Sequence, residues 1–117
     1  IDNKMIISIV IFIALIALLL YEFVNFDRLV KIEYQKHSED WIKDGKPKGF
    51  FWRPPESPWV GGSFALQRIS FVWLFRTPKW TSNDAEATTY LKRSRQLTLI
   101  FNIGIVVWFI ITMAIIT

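Results

Sequence analysis

With 117 residues, 52% hydrophobic and 16% aromatic, the chain is long enough for one small domain. It has no Cys and a single His, His37, which excludes disulfides, Cys-ligated metal or iron–sulfur centres, and any multi-His metal or bis-His haem site supplied by this chain alone. The formal net charge is +4, and the apolar residues gather at the two ends of the chain, a membrane pattern rather than a water-soluble one.

The first apolar run, MIISIVIFIALIALLLY, covers Met5 to Tyr21, and Phe23, Val24 and Phe26 extend it to the ~20 residues needed to cross a hydrocarbon core. Its Ile and Val content would suit a strand in water. In lipid a lone strand leaves its backbone groups unbonded, so a helix is expected. A cleaved signal peptide is the alternative, but the flank is Asp2, Asn3 and Lys4, the run is too long, and it exits through YEFVNFDR. Residues 1–26 are therefore read as the first span.

The segment from Glu22 to Asp44 reads as a helical extension into water. Phe26, Val30, Tyr34, His37 and Trp41 fall on one helix face, and Asp27–Lys31 and Glu39–Lys43 offer acid-first i,i+4 pairs. Gly45 and Pro47 end a rod of about 40 residues. Residues 45–62 hold most of the Gly and Pro and read as irregular chain, in which Phe50, Phe51, Trp52 and Trp59 alternate with Lys46, Lys48 and Arg53. That mixture suits a lipid headgroup layer. Ser63 to Arg76 is too short and polar to span. It is expected either to lie on the membrane, the reading favoured here, or to pack on a partner, with Arg68 and Trp73 in the contact. A capping box, Asn83 with Glu86, then starts a helix near Asp84 that runs through Lys92, Arg93 and Arg95 into the second span. This is Leu97 to Thr117, uncharged throughout, with little or no tail expected beyond it.

The fold class expected is thus an all-α membrane protein. It is a helical hairpin of spans 1–26 and 97–117, joined by a basic, aromatic loop, 27–96, with helical extensions. The loop carries 13 Lys and Arg against 8 Asp and Glu, crowded at both membrane exits, which places it in the cytoplasm with both termini outside.

Three residues are candidates for helix packing. Glu22 is a carboxylate at the hydrocarbon boundary, at the depth of Thr98 to Asn102 in a hairpin, and faces either that helix or water. Asn102 is polar inside the second span and should hydrogen-bond to another helix, either the first span or another protein; Gly104 nearby permits close approach. Lys92, Arg93 and Arg95 read as topology or lipid-phosphate residues rather than a nucleic-acid surface. One His on a helix face supports no catalytic grouping, so no enzyme, cofactor, metal or small-molecule substrate is expected.

Three stretches resemble the universal stress protein B family, small bacterial proteins with a span at each end. They are the Gly-Phe-Phe of Gly49–Phe51, RISFVWLF from Arg68 to Phe75, and the basic run Lys92–Arg95 leading into the last span. Residues 33–48 and the RPPESPW stretch lie outside the likeness. The resemblance implies a bacterial inner-membrane location and a link to stress tolerance, with no catalytic residues to carry over. The function expected is a non-catalytic accessory or structural subunit of a larger inner-membrane complex, with lipids and larger membrane subunits as partners. Large apolar loop surface on a small protein points to partners. A free-standing stress-response or lipid-binding protein is the alternative, and a transporter component is a third.

Overall fold

The computed structural model describes residues 2–117. Its elements are α1 (Asn3–Lys36), α2 (Ser38–Lys43), α3 (Trp59–Phe75), a short 3-10 helix (Lys79–Asn83) and α4 (Ala85–Ile116), with no strand among the described residues. The 34 residues of α1 extend about 51 Å, well beyond a ~30 Å hydrocarbon core, so part of it must emerge into water. The most apolar stretches of α1 and α4 have mean hydropathy 2.8 and 2.6, yet only 11% and 0% of their residues are buried. A core helix of a soluble protein with that composition would be mostly buried. These two helices are long and apolar enough to cross a membrane, and they turn their apolar residues outward.

The chain divides into two compact units, the first made of residues up to Glu22 with Gln96–Thr117, the second of Phe23–Arg95. The first is an antiparallel helix pair. Ser8 meets Thr112, Phe12 meets Trp108, Leu15 meets Gly104 and Glu22 meets Thr98, so the register holds along its length. Within this unit the more covered positions of α1 are Ser8, Ile11, Leu15, Leu18 with Leu19, and Glu22, a step of three or four that repeats every seven residues. That is the period of helices packed side by side along a seam.

The second unit is built on a core of Phe26, Leu29, Val30 and Ile32 from α1, Leu66, Ile69 and Trp73 from α3, Trp80, and Ala87 and Leu91 from α4. Rings link these pieces: Trp73 lies 5.6 Å from Phe26 and 5.7 Å from Trp80. The helical rod expected from residue 22 to 44 is interrupted. His37 leaves helical geometry (φ −133°, ψ 54°), and α2 starts after it. The reason is tertiary: the His37 ring packs 4.8 Å from Trp80, and its Nε2 lies 3.0 Å from an Asp84 carboxylate oxygen.

The end of α2 does fall at Gly45, with φ 92°, a left-handed conformation that suits a residue without Cβ. The Gly45 and Lys46 amides bond back to Ile42 and Trp41 carbonyls, which closes the helix with a Schellman motif. The third helix begins at Trp59, four residues before Ser63, because Gly62 lets it lie against Ser57 Oγ and the Lys46 and Lys48 backbone. The last helix is capped by Asp84 rather than Asn83, its carboxylate accepting the Ala87 amide at 3.1 Å. Among the described residues Lys36 pairs with Glu86 and the His37 ring with the Asp84 carboxylate, in place of the two i,i+4 pairs expected.

Candidate functional site

Hydrocarbon would offer polar side chains nothing to bond, and in the helix pair several of them bond one another. Ser8 and Thr112 hydroxyls lie 2.7 Å apart, Trp108 Nε1 donates to the Ser8 carbonyl at 2.9 Å, and the Thr98 hydroxyl donates to the buried Glu22 carboxylate at 2.7 Å. Glu22 therefore faces α4 rather than water. Gly104 lies where a Cβ would come 2.6 Å from a Leu15 methyl, so its lack of a side chain sets the approach of the two backbones. Asn102 is different. It does not reach across to α1; its amide nitrogen donates to the Thr98 carbonyl one turn back at 2.7 Å, and the residue is exposed among Leu99, Ile103 and Val106. The expectation that Asn102 could pack on the first span is thereby corrected.

In the second unit several residues expected at a lipid or partner surface have structural duties instead. Trp73 is buried in the core. Arg95 donates to the Trp73 carbonyl at 2.8 Å and to Thr77 at 3.2 Å, a cation set against the last carbonyls of α3. Arg68 donates to the Asp44 carbonyl just past α2. Phe50 stacks on Phe23 at 4.0 Å, and the Phe50 and Phe51 amides donate to the buried Asp27 carboxylate at 2.5 and 2.8 Å. Gly49 is needed there, since a Cβ would sit 2.6 Å from that carboxyl carbon. Gly-Phe-Phe is thus a receptor for Asp27, with the Phe51 ring exposed. Trp52 is half-buried, 5.6 Å from Tyr34.

Other members stay at the surface. Lys92 is exposed and Arg93 lies 5.6 Å over Tyr90. Trp59 is exposed, with Arg53 at 4.4 Å and Lys48 at 5.9 Å over its ring. The third helix is held on neither lipid nor a partner along its inner face, which packs into its own unit through Gly62, Ala65, Leu66, Ile69 and Trp73. Its opposite face leaves Val60, Phe64, Phe71 and Phe75 exposed. Two shallow clefts open there, about 380 Å³ beside Trp59, Phe64 and Gln67 and about 240 Å³ beside Phe71, Phe75 and Arg76.

Sequence reading did not single out Phe64, Phe71 and Phe75 as a stripe, although their spacing carries it, nor Ser8, Trp108 and Thr112 as partners, nor Glu33. Neither oxygen of Glu33 has a hydrogen-bond partner, and the side chain is fully buried. Burial first, and then the Asp44 carboxyl and the charge of Asp40, push its pKa up to about 10, with only the nearby Trp80 N–H pulling the other way. Among the described residues no three His, Asp or Glu side chains come together to hold a metal ion.

The fold defines an all-helical protein whose two longest helices are able to cross a membrane. Compared with protein families, curated proteins and solved structures, the chain matches none.

Proposed function

We propose that this chain is a non-catalytic accessory or structural subunit of a larger complex in the bacterial inner membrane, with residues 27–96 on the cytoplasmic side and both termini outside. The observation that carries the reading is the outward amide of Asn102. It lies five residues past Leu97, about 7.5 Å along the helix, on a face otherwise made of Leu99, Ile103 and Val106. Its nitrogen bonds to its own helix, and the side chain stands on the exposed side of α4, where hydrocarbon offers a polar group no hydrogen bond. A polar group in that position is stabilised by a facing helix, worth ~0.6–2 kcal/mol per hydrogen bond. The neighbouring span of this chain is engaged elsewhere, so the facing helix belongs to another protein. The cytoplasmic side for the loop is supported by its 13 basic against 8 acidic residues.

The test is native mass spectrometry of the full chain drawn from its own membrane in mild detergent. A defined larger partner is expected to accompany it, with recovery reduced several-fold by Asn102→Leu while the thermal melt of the purified chain stays unchanged. A lone monomer from the unaltered sequence would overturn the proposal.

A further inference from the structure

We propose that the outward face of α3 docks on the surface of a bilayer containing anionic lipid. Val60, Phe64, Gln67, Phe71 and Phe75 follow one another at steps of four, three, four and four, which confines them to an arc of about 80°. The arc lies opposite the buried Leu66, Ile69 and Trp73. Its four apolar members are 65–74% exposed, a row about 22 Å long of three Phe and a Val, broken only by an uncharged amide. A helix apolar on both sides, one turned into its own core and one turned out, is not a water-facing element.

The charge around that face names the occupant. From Ser57 to Asn83 the chain has no Asp or Glu, while Arg68, Arg76 and Lys79 fall within it. At the start of the helix Lys48 and Arg53 lie over Trp59, itself 65% exposed and of the residue type favoured among lipid headgroups. The nearest acid before it, Glu56, accepts the Tyr34 hydroxyl at 2.7 Å, a bond that keeps it charged, and Asp40 and Asp44 line one cleft with Arg76 and Lys79. An apolar row whose rim is mainly basic, with Lys48, Arg53, Arg68, Arg76 and Lys79 against Glu56, Asp40 and Asp44, complements acyl chains beneath anionic headgroups. It complements itself poorly: a two-fold contact between copies through this face would bring the predominating basic side chains together. Chain continuity adds to this, because Phe23 directly follows one helix of the pair and Arg95 directly precedes the other, so the unit is tethered twice to any bilayer that the pair occupies. The clefts beside Phe64 and Phe75 are shallow and apolar, fit for methylene groups rather than a shaped polar ligand.

The absence of native Cys allows a single nitroxide label on the full chain. Gln67→Cys and Phe71→Cys report the face, and Ser82→Cys, exposed outside α3, is the reference. The labelled chains are placed in vesicles of phosphatidylcholine with roughly one-quarter phosphatidylglycerol. Collision with oxygen, which concentrates in lipid, is compared with collision with a water-soluble nickel chelate. The oxygen-to-nickel ratio is expected to be several-fold higher at 67 and 71 than at 82. It should fall several-fold in phosphatidylcholine alone, or in about 1 M salt, where charges are screened beyond ~3 Å. Free collision with nickel at 67 and 71 overturns the proposal. So does shielding from both reagents, which would mean that a protein, a partner or a second copy, covers the face. An oxygen ratio indifferent to lipid charge and salt overturns its anionic part.

Discussion

Two carboxylates six residues apart on α1 show how burial and partners decide what an acidic residue does. Burial raises the pKa of Asp27 too, but two backbone amides, from Phe51 and Phe50, pull the other way. Glu33 is buried and receives none, so its neutral form is favoured and its pKa rises to about 10 from the ordinary 4.5. Between those two values the folded unit keeps a proton that the unfolded chain releases. The contribution is therefore complete below about pH 4.5 and is lost as pH rises toward about 10, at ~1.4 kcal/mol per pH unit. Melts of the full chain in detergent, followed by the near-ultraviolet signal of Trp73 and Trp80, should show lower stability at pH 8 than at pH 5. Glu33→Gln should remove that slope and raise stability at pH 8 by several kcal/mol; an unchanged slope would show that Glu33 is ionised when folded. Glu33 was hidden in the sequence because the helix face was traced through Phe26, Val30, Tyr34, His37 and Trp41. The face that is buried passes through Phe26, Leu29, Val30 and Glu33 instead, with Tyr34 only half-covered. A charge on that spacing was a visible warning, but burial depends on α3 and Trp80 arriving from distant sequence.

At the scale of elements, the spanning helices were legible and their neighbours less so. In hydrocarbon the backbone must bond within its own segment, so an uncharged run of twenty-one residues permits only a helix. Which faces of two such helices meet depends on small residues and hydroxyls, and Gly104 against Leu15 is the tightest case. Gly104→Leu should push the helices apart and cost about 1–3 kcal/mol as an overpacked contact, read as a lower melting temperature of the detergent-solubilised chain. Leu15→Ala in the same chain should recover much of the loss. Recovery by Leu15→Ala alone would separate close approach from a general intolerance of bulk at 104. The third helix starts earlier than its sequence suggests, because Gly61 and Gly62 weaken helices in isolation. Here Gly62 is an asset, bringing the helix against Ser57 and the backbone of residues 46 and 48. The break at His37 has no Gly or Pro to mark it, only Lys36 before it and Glu39 and Asp40 in the turn after it; Trp80 and Asp84 hold the His37 ring from 43 and 47 residues away.

For the whole molecule, the proposed orientation has a direct check. A membrane-impermeant maleimide should label Ser82→Cys in inverted membrane vesicles and leave it unlabelled in intact cells, since the loop residues from 27 to 96 are proposed to face the cytoplasm; labelling from outside would reverse the topology. That the chain is helical and carries two lipid-compatible stretches follows from composition alone, because hydropathy over some twenty residues acts locally and a single segment can satisfy its own backbone in lipid only as a helix. The sequence by itself also determined where the basic residues crowd. Only the tertiary structure decided that Asn102 turns away from the first span, that Trp73 and Arg95 hold the second unit together, and that α3 keeps one apolar face for its own core and another for outside. Those outcomes depend on which side of a helix meets which neighbour, and a rotation of 100° per residue makes that a property of packing rather than of composition.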